Sequence, residues 1–126
     1  MIRAFIAIAL CTCSLGAKAA PLSTKCEAPS EYAIIEQCGW EESDRTDVAQ
    51  KAALSRLMAA VGENRSEVTK LKKSQAAWVS YRNTSCAFWS QRVQYQVPWC
   101  MANLNKLRAV ELTRMAECQE EGGGKC

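Results

Sequence analysis

The chain has 126 residues, 48% of them hydrophobic and 23% charged, with a formal net charge of +3, eight cysteines and no histidine. That length suits one small domain. Acidic and basic residues are interleaved, which gives no electrostatic footprint for nucleic acid or anionic lipid. Without histidine a catalyst would also lack the usual general base near neutral pH.

Residues 1–19 read as a secretory signal peptide: Arg3, an apolar run over residues 4–10, then Leu15, Gly16 and the small-x-small triplet Ala17-Lys18-Ala19. The run is too short for a membrane span, which needs about twenty apolar residues. Cys11 and Cys13 raise a lipoprotein, but Leu10-Cys11-Thr12-Cys13 lacks the expected Leu, small, small triplet. Cleavage after Ala19 removes Arg3 and Lys18, takes the charge from +3 to +1 and leaves a periplasmic or secreted chain. A charge of +1 offers no overall steering toward a basic enzyme.

Six cysteines remain: Cys26, Cys38, Cys86, Cys100, Cys118 and Cys126. An even number in an exported domain points to disulfides. Several pairings are open; the favoured one joins neighbours, 26 with 38, 86 with 100 and 118 with 126. A disulfide closing a loop of about fifteen residues contributes on the order of 3 kcal/mol, a sizeable share of a small domain's stability. No histidine, no Cys-x-x-Cys knuckle and spacings of 12, 48, 14, 18 and 8 leave no zinc pattern, and no other metal or cofactor is expected.

Along the chain, Ser30 is a cap for a first helical segment carrying Tyr32, Ile34, Ile35 and Cys38, which Gly39 interrupts. Asp44 and Asp47 offer a second start. From Val48 a helical period runs through Ala52, Ala53, Leu54, Leu57, Met58 and Val61 until Gly62 stops it. Ser66 and Glu67 open a long helix in which Val68, Leu71, Gln75, Trp78, Arg82, Cys86, Trp89 and Val93 follow a three-four repeat for about seven turns. Pro98 fits the first turn of the next helix, whose apolar side is Met101, Leu104, Leu107, Val110, Leu112 and Met115. Gly122-Gly123-Gly124 ends it. The expectation is all-α: a small antiparallel bundle of three to four helices stapled by disulfides. It covers residues 20–120, with a disordered glycine-rich tail over 121–126 that Cys126 ties back.

One face of the long helix carries Gln75, Trp78, Arg82 and Cys86 at steps of three, four and four. A buried guanidinium needs a carboxylate, so Arg82 is expected to pair with Glu111 or to join a network of Gln75, Arg108 and Glu111 with Asp47. That network is read as fixing how the helices dock. The cluster Glu41, Glu42, Asp44 and Asp47 reads as helix N-terminal charge, which the macrodipole favours, and not as a glycosidase carboxylate pair. No catalytic residue is marked. The expected binding surface is the segment clasped by Cys86 and Cys100, with Trp89, Arg92, Tyr95 and Trp99; Tyr, Trp and Arg dominate interface hot spots. Phe88 and Trp89 are also expected to extend the core, and Trp40 is left unplaced.

Cys38 ahead of an acidic helix, then Leu71, Gln75, Trp78, Arg82 and Cys86, then Cys100, Leu104 and Arg108-Ala109-Val110-Glu111-Leu112 together resemble the LprI-like lysozyme-inhibitor domain family, once a domain of unknown function. The resemblance spans about residues 26–112. It implies an exported bacterial domain of helices and disulfides with a protein partner, lysozyme or another peptidoglycan hydrolase. The alternative is an envelope assembly factor or immunity protein without lysozyme inhibition. The chain departs from the pattern at Ala49-Gln50, where the family tends to Leu-Asn, at Asn105, where it often has Thr, and in an aromatic rather than glycine-rich loop before Cys100.

Overall fold

The computed structural model describes residues 21–123, without the side chains of Trp89 and Gln94. The expected signal peptide and Cys126 with the end of its tail lie outside the described residues. A short 3-10 turn, Thr24–Cys26, precedes three helices: α1 (Tyr32–Val61), α2 (Arg65–Ser90) and, after a second 3-10 turn at Gln94–Gln96, α3 (Val97–Glu120). Among the described residues there is no strand.

Helix α1 is longer and simpler than the sequence suggested. It runs unbroken through Gly39, and Asp44 and Asp47 lie mid-helix instead of starting a new one. Its N-cap is Glu31, with no side-chain hydrogen bond, so Ser30 does not cap it. Gly39 persists because a Cβ there would stand 2.8 Å from Pro98 Cγ and 2.9 Å from Trp99 Nε1. Close approach of α3 thus offsets the roughly 1 kcal/mol that glycine costs inside a helix. At the other end Gly62 takes φ 67° and donates its N–H to Met58 and Ala59, as a helix stop should. Asn64 then accepts from the N–H of Glu67 at 3.3 Å, starting α2 just before the expected Ser66. Helix α2 stops at Ser90, so Val93 falls in the connection and not in the stripe. Pro98 sits in the first turn of α3, where its missing N–H costs nothing.

Consecutive helices are antiparallel, so α1 and α3 run parallel. Trp99 meets Ile35, Asn105 meets Ser43 and Thr46, and Glu120 meets Arg56, rising together. These two helices make the main interface. They approach closely because the facing residues are small: Gly39, Ser43 and Ala53 on one side, Ala102 and Ala116 on the other, all buried. The apolar core is short, with Ala53, Leu57, Leu71, Leu112 and Ala116 packed beneath Leu54, Met58 and Val61. Each fully buried leucine contributes about 1.5–3 kcal/mol.

The stripe expected on α3 is partly wrong. Leu107 is 60% exposed, Val110 51% and Met115 44%, while Ala102, Asn105, Arg108, Leu112 and Ala116 are buried. The face that packs is chosen by fit against α1, and small or polar residues hold it. Cys26–Cys38 and Cys86–Cys100 are bonded as expected, each with Cα atoms about 5.5 Å apart. Cys118 is disulfide-bonded; its expected partner, Cys126, is outside the described residues.

Candidate binding surface

Two groups of residues could carry function: a polar network inside the bundle and the stapled end. The network begins at Arg82, whose Nη1 donates to Asp47 Oδ1 at 3.1 Å and to Asn105 Oδ1 at 2.8 Å. Arg82 is therefore held by Asp47, and Glu111 is not its partner. Glu111 serves Arg108 instead, at 2.7 Å, while Arg108 Nε donates to Gln75 Oε1 at 3.2 Å. Gln75 Nε2 continues to Gln50 Oε1 at 2.9 Å, and Gln50 Nε2 returns to Asp47 Oδ1 at 3.3 Å. Trp78 supplies a ring on which both cations rest, with the Arg82 and Arg108 guanidinium carbons 5.3 and 5.7 Å from its centre.

The expected residues Gln75, Trp78, Arg82, Arg108 and Glu111 are thus brought together, directly or through Asn105, Asp47 and Gln50. Three members were missed. Asn105 is fully buried and donates to the Ser43 carbonyl and Thr46 Oγ1. Gln50 is buried, and so is Glu42, gripped by Arg45 on its own helix at 2.6 Å and by Lys106 of α3 at 2.6 Å. The signal was present: Ser43, Thr46, Gln50, Ala53 and Leu57 recur at steps of three and four, a helical face that reads as surface only because half of it is polar. Among the described residues every buried side-chain nitrogen and oxygen has a partner, which buried polar groups require.

Electrostatics give these groups a structural task. The hydrogen bond from Arg45 holds the Glu42 carboxyl below its ordinary range, against burial, with help from Lys106. Burial pushes Asp47 up, but hydrogen bonds and charge from Lys51, then Arg82 and Gln50, together bring it below the usual carboxylate value. Both stay ionised and ion-paired, so neither carries a proton to give at neutral pH. They sit mid-helix, so the expectation that the acidic cluster lies at a helix N-terminus is corrected: Glu42 and Asp47 cross-link helices. Among the described residues no group of three or more potential ligands could hold a metal.

The stapled end is built by the Cys86–Cys100 bridge, which returns the chain from α2 to α3 through a turn and the 3-10 segment. Tyr95, half-buried, lies with its ring 5.2 Å from that of Tyr32, so the start of α1 shares this surface. Trp99 donates its indole N–H to the Ile35 carbonyl at 3.0 Å, anchoring α3 on α1. Tyr95, Gln96, Trp99, Cys100 and Asn103 line an open cleft of about 380 Å³. Arg92 is exposed and stacks 5.2 Å over Phe88. Phe88 is over half exposed, so it does not extend the core as expected; the side chain of Trp89 is outside the described residues.

Comparison with known proteins finds that the family model described as Lysozyme inhibitor LprI matches residues 24–112. No curated protein and no solved structure matches the chain.

Proposed function

The chain belongs to the lysozyme inhibitor LprI family, and from that premise we propose that it is an exported protein that blocks a lysozyme-like peptidoglycan hydrolase by surface contact, without catalysis of its own. The observation that carries this reading is the stapled end, where Tyr95 and Trp99 line a cleft and Arg92 of the same segment is exposed. A disulfide-closed segment loses little freedom on binding, so its aromatic contacts convert to affinity with small ordering cost. Two disulfides in separate parts of the chain suit an oxidising compartment, and removal of residues 1–19 would be seen in the intact mass of the exported chain.

Lysis of Micrococcus cells by lysozyme, followed by turbidity, tests the inhibitor reading. Slower clearing with the oxidised protein is expected, and undiminished lysis at large molar excess removes lysozyme as the target. A second reading, an envelope assembly factor or immunity protein, is favoured by the exposed Leu107 and Val110 on the outer face of α3. Capture of one defined envelope protein that is lost with Leu107→Ser, lysozyme being unaffected, would establish it.

A further inference from the structure

Among the described residues two aromatic rings carry cations. Trp78 carries Arg82 and Arg108, with Asp47 as counter-charge. Phe88 carries Arg92. Trp40 differs: it is 43% exposed, and among the described residues no guanidinium or ammonium lies over it. On α1, Tyr32, Glu36, Trp40 and Asp44 form one row at steps of four, which places ring, carboxylate, ring and carboxylate in line on one face. Tyr32 is 71% exposed and touches Tyr95, so the row is continuous with the cleft. No ion pair engages Glu36 or Asp44 among the described residues, whereas Glu42 and Asp47 are each matched by two cations.

We propose that Trp40, with Glu36 one turn before it and Asp44 one turn after, receives a lysine or arginine side chain of the partner protein. This rests on the inhibitor reading and gives the partner's chemistry, a basic protein surface. A cation over the indole face gains from the ring quadrupole, and the flanking carboxylates lie within its reach at about 6 Å along the helix. Trp78 shows that an indole of this fold holds guanidinium groups with a carboxylate nearby, although there the cations come from within the chain and the carboxylate from another helix. The site is also rigid. Cys38 is locked to Cys26, and Gly39 is pressed against Pro98 and Trp99, so the two residues before Trp40 cannot move far. The whole-chain charge does not oppose this, since charges beyond a Debye length of about 8 Å are screened at physiological salt and the nearest side chains decide.

The test is binding kinetics of immobilised lysozyme, native or with its lysines succinylated, against the wild type, Trp40→Ala, Trp40→Phe and Glu36→Gln/Asp44→Asn. Circular dichroism of each variant confirms an unchanged fold. The proposal expects Trp40→Ala to weaken binding to native lysozyme roughly tenfold, Trp40→Phe to restore part of it, and the double amide variant to lose much of the salt dependence. Succinylated lysozyme should bind no better than Trp40→Ala binds the native enzyme. Wild-type binding with every variant within twofold of it overturns the proposal and leaves the inhibitor reading standing. If the wild type binds neither form, both fail together for this enzyme.

Discussion

Asn105→Ala should be the most damaging small truncation in the bundle. The side chain is fully buried; it accepts from Arg82 at 2.8 Å and donates to the Ser43 carbonyl and Thr46 Oγ1 at 3.2 and 3.3 Å. A net hydrogen bond is worth about 0.5–1.5 kcal/mol, and about 1.5–3 when one partner is charged. The total is reduced because Arg82 keeps Asp47 and the Ser43 carbonyl keeps Thr46 Oγ1. A loss of about 2–4 kcal/mol follows, which for a domain of this size lowers the melting temperature by roughly 10–25 °C. Urea unfolding of the oxidised protein, followed by helix circular dichroism, measures it. The cycle with Arg82→Ala should show coupling of about 1–2 kcal/mol. A loss below about 0.5 kcal/mol, within the range of an ordinary surface change, would refute the view that this network sets the α1–α3 register.

Three further outcomes follow from the geometry. Gly39→Ala should destabilise although alanine is the better helix former, because the new methyl would stand 2.8 Å from Pro98 Cγ and displace Trp99; about 1–3 kcal/mol is expected, and a rise in melting temperature would contradict the packing. The lowered Glu42 carboxyl binds protons less readily in the folded chain than in the unfolded one. Its stabilising effect is therefore complete above the ordinary carboxylate range and is lost as pH falls from about 4.5 toward the lowered folded value. Glu42→Gln should flatten that acid limb of a stability profile, and an unchanged limb would deny Glu42 the role. Replacing Cys86 and Cys100 together by serine should cost about 3 kcal/mol; proteolysis should then cut between residues 90 and 97 first, and uniform resistance there would show that the bridge does not order the tip.

What the sequence disclosed was local. Gly62, Pro98 and the run from Leu71 to Cys86 mark their elements by short-range chemistry, and Cys26 with Cys38 and Cys86 with Cys100 paired as neighbours. What stayed hidden depended on which faces meet. The α1–α3 interface is made of Ser43, Thr46, Gln50, Asn105 and small residues, so a search for apolar periodicity passes over it and selects Leu107 and Val110 instead. For Arg82 the sequence offered Glu111 and, in the wider network, Asp47, and the helix register decides between them. The Cys86–Cys100 bridge sets the register of α2 on α3, and Asn105, five residues past Cys100, lies level with Arg82, four before Cys86. Glu111 is too far along. The carboxylate therefore comes from α1 as Asp47, while the continuity of that helix past Gly39 was not legible.

A polar interior of this kind trades some stability for a single arrangement, since hydrogen bonds with fixed geometry penalise register shifts that a greasy seam would tolerate. Here the register matters because two stapled segments must meet. The start of α1, tied by Cys26–Cys38, and the α2–α3 connection, tied by Cys86–Cys100, belong to different parts of the chain, and only the parallel packing of α1 on α3 brings Tyr32 against Tyr95. If α3 slid by one turn, about 5.4 Å, Asn105 would lose Ser43 and Thr46, Trp99 would lose the Ile35 carbonyl, and the ring pair would part. Gln50 and Asn105 therefore act on the shape of the exposed end without touching it.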